Sequence, residues 1–280
     1  MKKDKISIAV KGLIVGGTML VPGVSGGSMA MILGIYDRLI SSVSSFRKQI
    51  KESVLFLAIF TIAALAGMVL FASPLLALIE AYTKPMMFFF LGAVAGGVPM
   101  MYQKARVQAF TWKLPVCIIG GILAVMLISL FPAETFGAGG GSAGVLVLVS
   151  AGLIAAIALI LPGISISYLL LMLGIYTDTM KAISSFDLGF LFPMGIGLLI
   201  GIILTTKVLE GAMERYPQPT YLMIMGFIIG SAADVFPGFP VGWEWVLCSA
   251  TLLTGFGLIR LLSENEIIKT DKSKKTDEVY

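Results

Sequence analysis

The sequence predicts an all-α polytopic membrane protein with six transmembrane helices and two oppositely oriented re-entrant helical hairpins, arranged as an inverted repeat. Three observations carry this prediction: an apolar composition, six apolar stretches of bilayer-spanning length, and two Pro-Gly breaks inside longer apolar regions. Of the 280 residues, 58% are hydrophobic and 13% are charged, and the mean hydropathy is +0.97. Soluble domains carry about 25% charged residues, so a soluble fold could not cover its surface with this composition.

The composition also excludes several kinds of site. Histidine is absent, and the two cysteines, Cys117 and Cys248, both lie in apolar stretches. These facts exclude histidine-based nucleophile pairs and proton relays, and they leave neither a zinc site nor a disulfide framework. We therefore predict no metal and no cofactor. The net charge of +4 arises from basic residues that flank apolar stretches, so it indicates membrane topology rather than nucleic-acid binding.

Six apolar stretches are long enough to cross a membrane. A spanning helix needs about 20 apolar residues, because the hydrocarbon layer is about 30 Å thick. The predicted spans are residues 54–79, 86–102, 114–131, 187–206, 220–236 and 242–262. The stretch that follows the last span is polar and of mixed charge, so we predict a disordered cytoplasmic tail at residues 264–280.

Two further apolar regions, residues 7–36 and 143–176, are too long for one span and are interrupted at their centres. The interruptions read VPGVSGGS at 21–28 and LPGISIS at 161–167. Proline removes a backbone donor and clashes with the preceding turn, and glycine frees the backbone to reverse. We therefore predict that each region forms the two half-helices of a re-entrant hairpin.

The basic residues support this topology. If the N-terminus is cytoplasmic, eighteen of the twenty lysines and arginines fall on the cytoplasmic side, and only Lys84 and Lys181 fall outside. A full span at 7–36 would move the basic cluster at 38–51 outside, against the positive-inside bias. We therefore predict that both termini are cytoplasmic.

The two halves of the chain are similar to each other. A shift of 140 positions aligns 12–46 with 152–186, where 13 of 35 residues are identical, including PG-x-S, LGIY and SSF. A shift of 134 aligns 62–98 with 196–232, with ten identities. Each copy holds one hairpin and three spans, and because three is odd, the second copy begins on the opposite face. Inverted repeats of this kind are typical of secondary transporters, which bind substrate near the midplane.

The predicted organisation is therefore a first repeat at 1–140, an inverted second repeat at 141–263 and the tail. A purely scaffolding membrane protein would have no need of such a repeat.

The first break combines residue types that bind anions. Ser25, Gly26, Gly27 and Ser28 precede a half-helix whose first N–H groups have no partner within the helix. Glycine lets a ligand approach the backbone, and hydroxyl groups add donors, so the break suits phosphate or carboxylate. The alternative is that small residues only permit tight packing of the hairpin.

The second break is less open to a ligand. It keeps Ser165 and Ser167 but has Ile166 and Ser167 where the first break has the glycine pair. We therefore predict that the main contacts to an anion lie on the first hairpin and that the two serines are secondary.

Ionisable residues near apolar segments are further candidates. Arg38 follows the first hairpin and could guide an anionic head group, or only anchor the chain on the cytoplasmic side. Glu80 and Glu214 occupy equivalent corners of the two repeats and could act in gating or coupling, or cap the helices that follow. Asp234 lies near the end of a span without an obvious partner in the sequence and is a third candidate for gating or coupling.

The first break and the residues after it, MAMILGIYDRLI, resemble the signature of the bacterial polyprenyl-phosphate transporters, the PopT family. The resemblance covers most of the chain and is strongest at 12–46 and 152–186. It implies a flippase of the cytoplasmic membrane that returns undecaprenyl phosphate for lipid-carrier recycling in cell-envelope synthesis. At the matching positions, it places substrate contacts on Pro22, Gly23, Ser25, Gly26, Gly27 and Ser28. Many members carry an acidic residue where this chain has Met19, so the resemblance supports no proton-coupling role there.

Other functions remain open at this point. One is a transporter of a small soluble anion or amino acid that uses the same hairpins. Another is an enzyme such as a membrane lipid-pyrophosphate phosphatase, but that chemistry needs a general acid or base and cationic groups around the phosphate. Neither break carries Arg, Asp or Glu, so we predict a transporter that is not an enzyme. The predicted partners are a polyprenyl-phosphate lipid and the membrane, without nucleic acid, and the sequence does not determine the oligomeric state.

Overall fold

The computed structural model describes residues 2–19, 25–46, 50–107, 112–130, 144–164 and 166–277, and these residues form helices and short connections without a strand. The helices are α1 (Lys2–Thr18), α2 (Gly26–Ile32), α3 (Tyr36–Ser44), α4 (Ile50–Ala81), α5 (Thr83–Lys104), α6 (Lys113–Leu130), α7 (Val145–Ile160), α8 (Ile166–Met172), α9 (Tyr176–Ser185), α10 (Leu188–Arg215), α11 (Pro217–Val235) and α12 (Glu244–Asp277).

Each of the six predicted spans coincides with a long helix. Among the described residues, four helices are long and apolar enough to cross a membrane: Ile50–Ala81, Thr83–Lys104, Leu188–Arg215 and Glu244–Leu262. Helices α6 and α11 are outside this set, so their crossing of the membrane remains a prediction.

The outward surfaces of the long helices are apolar, as lipid contact requires. Ile62 and Val69 of α4, Leu199 and Val208 of α10, and Leu253 of α12 are each more than half exposed. Soluble monomers rarely expose large contiguous apolar patches. The exposed apolar surface therefore agrees with the composition in indicating a membrane protein.

Neither long apolar region forms one continuous helix. In the first region α1 ends at Thr18 and α2 begins at Gly26, and in the second α7 ends at Ile160 and α8 begins at Ile166. Helices α2 and α8, with seven residues each, are too short to cross a bilayer, so the re-entrant hairpins remain a prediction.

Each region contains a second interruption that the sequence analysis missed. The half-helix predicted to run to residue 36 ends at Ile32, because Gly34 adopts a left-handed conformation with φ of 68°. The N–H of Gly34 donates to the carbonyl of Met31, and that of Ile35 donates to the carbonyl of Ala30, at 3.0 and 2.9 Å. This is the Schellman termination of a helix, which favours glycine. The LGIY of the second copy ends α8 in the same way, with φ of 70° at Gly174.

Helix α12 extends beyond the last predicted span. It continues to Asp277, well past the end of the apolar stretch at 262, and the disorder of residues 264–280 stays a prediction. The segment contains neither proline nor glycine and is rich in lysine and glutamate, which favour helix. Extension of an existing helix also avoids the cost of nucleation.

The long helices pack in pairs that link the two halves of the chain. Helix α1 packs on α4 and α7 on α10, within each half, whereas α5 packs on α12 and α11 on α6, between the halves. The two halves are therefore intertwined.

Glycine contacts recur in both halves at a constant spacing. A Cβ atom on Gly92 would lie 2.0 Å from the carbonyl oxygen of Leu252, and one on Gly226 would lie 2.3 Å from that of Ile118. Both partners of the second contact are 134 positions from their counterparts in the first. These contacts let helix backbones approach each other as only glycine allows.

Candidate functional site

The two Pro-Gly breaks lie against each other. Ser25 is the N-cap of α2, and its Oγ accepts hydrogen bonds from the N–H of Ser28 and from the N–H of Gly163, each at 3.1 Å. Gly27 faces the second break, since a Cβ atom there would lie 3.4 Å from Cα of Pro162. One hydroxyl thus joins segments that are 138 positions apart in the sequence.

The hydroxyl of Ser25 is already fully engaged. Its oxygen has two lone pairs, and both accept N–H bonds, so its own proton donates to Oγ of Ser28 at 2.7 Å. From the sequence, both serines are expected to be free donors. In the structure, Ser28 keeps a hydroxyl proton that is not used within this pair, although its side chain is buried.

Gly163 is held in a conformation that other residues rarely adopt. Its φ is 85°, and a Cβ atom would lie 2.4 Å from the carbonyl oxygen of Phe227 in α11. Both the dihedral angle and the close approach require glycine. The second break therefore packs directly against α11. At the same residue, the N–H of Gly163 donates to Ser25 in the first break.

Tyr36 makes a second link between the breaks. Its hydroxyl donates to the carbonyl of Ile160 at 2.7 Å, and its side chain is buried. Ile160 is the last residue of α7, where a carbonyl has no partner within the helix. In the sequence, LGIY stands out only as part of the repeat, and Tyr36 is not among the predicted site residues. The same tyrosine recurs as Tyr176 in the second copy of LGIY, and this repetition is the sequence signal that could have identified it.

A cavity of about 760 Å³ adjoins the first break and lies among α1, α3, α4, α7 and α10. Its volume is within the range of ligand sites, about 300–1,000 Å³. Ser25, Gly26 and Gly27 form part of its wall, and most of the remaining wall is apolar. The hydroxyls of Thr206 and Ser231 also reach the wall, but they donate to carbonyls of their own helices.

One face of α4 forms an apolar side of the cavity. The lining residues from this helix are Leu57, Phe60, Thr61, Ala64, Leu65 and Met68. Their spacing of three and four residues places them along one stripe. At about 1.5 Å per residue, the stripe from 57 to 68 is about 16 Å long, so the cavity is elongated.

Arg38 lies outside the cavity wall. Its side chain is exposed, and its guanidinium carbon lies 4.6 Å from the centre of the Phe56 ring, a cation–π contact between α3 and α4. The adjacent Asp37 forms an ion pair with Lys104 at the end of α5, with 2.7 Å between Oδ2 and Nζ. These contacts attach α3 to two neighbouring helices.

Five predicted site residues lie wholly or partly outside what the structure describes. Pro22, Gly23 and Ser165 lie outside the described residues. Ser167 belongs to α8 and Asp234 to α11, but their side chains also lie outside what the structure describes.

The two equivalent glutamates lie away from the breaks. Glu80 and Glu214 are exposed near the ends of α4 and α10, and neither lines the cavity. The N-cap positions of α5 and α11 belong to Tyr82 and Tyr216, so neither glutamate is the N-cap residue of the helix that follows.

A sequence model of the undecaprenyl phosphate translocase-like family matches residues 15–249, which include both breaks and the whole cavity wall. The chain belongs to this family. The resemblance predicted from the first break and LGIYDR is therefore confirmed for the family.

Curated relatives of this undecaprenyl phosphate translocase-like chain are named polyprenyl-phosphate transporter. The relative from Staphylococcus aureus is 33% identical over 283 residues, which cover 95% of this chain and 100% of the relative. The relative from Vibrio cholerae is 30% identical over 255 residues, which cover 83% of this chain and 78% of the relative. No solved structure matches the chain.

Proposed function

We propose that the protein is a flippase that returns undecaprenyl or another polyprenyl phosphate across the bacterial cytoplasmic membrane, so that the lipid carrier is reused for envelope synthesis. One observation carries this proposal: two polar helix breaks bond to each other and line one side of an elongated, mainly apolar cavity. The names of the relatives support the same substrate class and a transporter rather than an enzyme.

The phosphate is held at the breaks. A phosphate inside the hydrocarbon layer needs polar partners, because burial of an unpaired charge costs many kcal/mol. Helix α2 has only seven residues, so individual N–H groups and hydroxyls matter more than a helix dipole. The N–H groups of Gly26 and Gly27 begin this helix beside the cavity. If a phosphate oxygen replaces Ser28 Oγ as acceptor of the Ser25 proton, both serine hydroxyls become donors to the ligand.

The apolar tail lies along the cavity. The stripe on α4 offers a continuous apolar surface about 16 Å long, which accommodates the isoprene units nearest the phosphate. The apolar wall favours a lipid over a small soluble anion or amino acid, which would need polar contacts around its whole surface. The remainder of the tail stays among the membrane lipids.

The substrate site opens to one face of the membrane and then to the other. Two re-entrant hairpins in an inverted repeat make this alternating access possible. The recurrence of the glycine contacts after 134 positions and the matching terminations at Gly34 and Gly174 support this relation between the halves. Each hairpin enters from one face, so the joined breaks expose the phosphate to either leaflet in turn.

Transport by purified protein in liposomes tests the proposal. Undecaprenyl phosphate is placed in one leaflet, and its appearance in the other is followed with a phosphate-specific reagent. We expect rapid transfer with the parent protein and at least tenfold slower transfer with Ser25→Ala. Ser150→Ala is the matched control, because Ser150 is exposed on α7 and its hydroxyl donates to the carbonyl of Val147 in its own helix.

Two results would overturn parts of the proposal separately. Unchanged transfer with both Ser25→Ala and Gly27→Leu would remove the phosphate site from the breaks. Transport of soluble phosphate by the parent protein, without any transfer of lipid phosphate, would replace the lipid with a soluble anion.

A further inference from the structure

A polar clasp joins the two halves of the chain where α3 and α10 approach their C-terminal ends. Ser44 and Ser45 both donate hydrogen bonds to the carboxylate of Glu210, the latter at 3.2 Å to Oε2. Ser44 is the last residue of α3, and Glu210 lies in the last two turns of α10. We call these three residues the clasp.

The clasp lies at one end of the cavity. Val43 of α3 lines the cavity and immediately precedes Ser44. Thr206 of α10 also lines it, and Glu210 lies four residues further on, on the same face of the helix. The bonds of the clasp therefore close the gap between α3 and α10 just beyond the cavity wall. In the predicted topology this end faces the cytoplasm.

The other half of the chain lacks the carboxylate. The internal repeat aligns Ser44 and Ser45 with Ser184 and Ser185, but it aligns Glu210 with Leu76. The hydroxyl of Ser185 bonds to the carbonyl of Lys181 in its own helix. Within the described part of the chain, α9 also does not pack on α4 as α3 packs on α10. The clasp is therefore a feature of one end of the molecule and not of the repeat.

We propose that Glu210, held by Ser44 and Ser45, is the gating residue that closes the lipid path on the cytoplasmic side. This inference rests on the proposed function, because it assigns a gate to the cavity through which the lipid passes. Opening on that side requires α3 to move away from α10 and to give up hydrogen bonds to a carboxylate, which are stronger than bonds between neutral groups. The opposite end, with leucine at the equivalent position, opens without breaking such bonds.

Accessibility of the cavity tests the gate without any substrate. In a background with Cys117→Ser and Cys248→Ala, Thr61→Cys places one thiol on the cavity wall, and inside-out vesicles present the cytoplasmic face to a membrane-impermeant maleimide. We expect Glu210→Ala to raise the labelling rate of this thiol at least fivefold. Glu210→Gln should raise it less, because the glutamine oxygen still accepts bonds from the serines. Equal labelling of Glu210→Ala and the parent would overturn the gate.

Cross-linking tests the same gate during transport. In the same background without Thr61→Cys, the pair Ser44→Cys and Glu210→Cys is bridged with a short, reducible bis-thiosulfonate reagent. The equivalent pair, Ser184→Cys and Leu76→Cys, is the matched control in the other half. We expect the first pair to cross-link readily, lipid-phosphate transfer to fall at least tenfold, and reduction to restore it, whereas the control pair should cross-link more slowly.

The two claims fail in different ways. Unimpaired transfer through fully cross-linked protein would overturn the gate and leave the proposed function intact. An active gate in the labelling assay, with no transfer of lipid phosphate by the parent protein, would overturn the proposed function and leave the gate intact.

Discussion

Tyr36 donates a hydrogen bond to the carbonyl oxygen of Ile160, 124 positions away, with 2.7 Å between the two oxygens. The tyrosine begins α3 in the first half of the chain, and the isoleucine ends α7 in the second half. Together with the bond from Gly163 to Ser25, this contact makes the two breaks one site. Side chains of the first half thereby satisfy two backbone groups of the second break, the carbonyl of Ile160 and the N–H of Gly163.

Replacement of Tyr36 by phenylalanine should destabilise the protein. The carbonyl of Ile160 would lose its partner in a partly buried setting, which costs up to about 1–3 kcal/mol. We expect a lower unfolding temperature in detergent for Tyr36→Phe. Tyr102→Phe is the control, because Tyr102 is exposed at the end of α5. An unfolding temperature equal to that of the parent would show that the bond contributes nothing to stability.

Gly163→Ala and Gly195→Ala should have opposite effects. At Gly163 a side chain would meet the backbone of Phe227 and force a residue other than glycine into φ of 85°. We expect a loss of more than about 2 kcal/mol or failure to fold, since strain of this kind alone costs about 1–3 kcal/mol. At Gly195 nothing lies within 4 Å of the added atom, and alanine favours the helix by about 0.5–1 kcal/mol.

Thermal unfolding in detergent, together with the yield of folded protein, distinguishes the two glycine variants. If Gly163→Ala proved as stable as the parent protein, the described seating of the second break on α11 would be incorrect.

Thr61→Phe should slow lipid transfer by filling the cavity. Thr61 lies on the cavity face of α4, whereas the next residue, Ile62, is 69% exposed and is not part of the wall. We expect Thr61→Phe to reduce transfer of undecaprenyl phosphate in liposomes at least fivefold and Ile62→Phe to leave it near the parent rate. Equal rates for the two variants would mean that the lipid tail does not use this cavity.

The ion pair between Asp37 and Lys104 should contribute about 1 kcal/mol or less to stability. Both side chains are partly exposed, at 39% and 24%, and partly exposed pairs are weakened by solvent. A double-mutant cycle with Asp37→Asn and Lys104→Gln measures the coupling directly. A coupling well above 1 kcal/mol would indicate that the pair is shielded from solvent in the membrane-embedded protein.

Local patterns predicted the helices well, because a run of about 20 apolar residues requires nothing else to form a spanning helix. They also predicted interruptions at both Pro-Gly pairs, where proline removes a donor. The same logic failed at Gly34, because LGIY reads as a continuation of the apolar run and its left-handed glycine leaves no hydrophobic signal. Beyond residue 262, helix-favouring residues continue α12 to Asp277.

The candidate site was predicted only in part. Ser25 and the two glycines after it stood out as anion-binding residue types in an apolar region. Tyr36 and Glu210 did not, because a tyrosine in a repeated motif and a glutamate in a long helix have many ordinary roles. Their partners, Ile160 and Ser44, are more than 120 positions distant, so no local pattern links them.

The sequence by itself determined that the chain is an apolar, helical membrane protein with two interrupted segments and a repeated plan, because those properties depend on the composition and spacing of neighbouring residues. Only the tertiary structure decided that the two interruptions meet, that the hydroxyl of Ser25 bonds across this contact, and that the carboxylate of Glu210 accepts bonds from Ser44 and Ser45. These contacts join groups more than 120 positions apart, and such groups come together only when the helices pack.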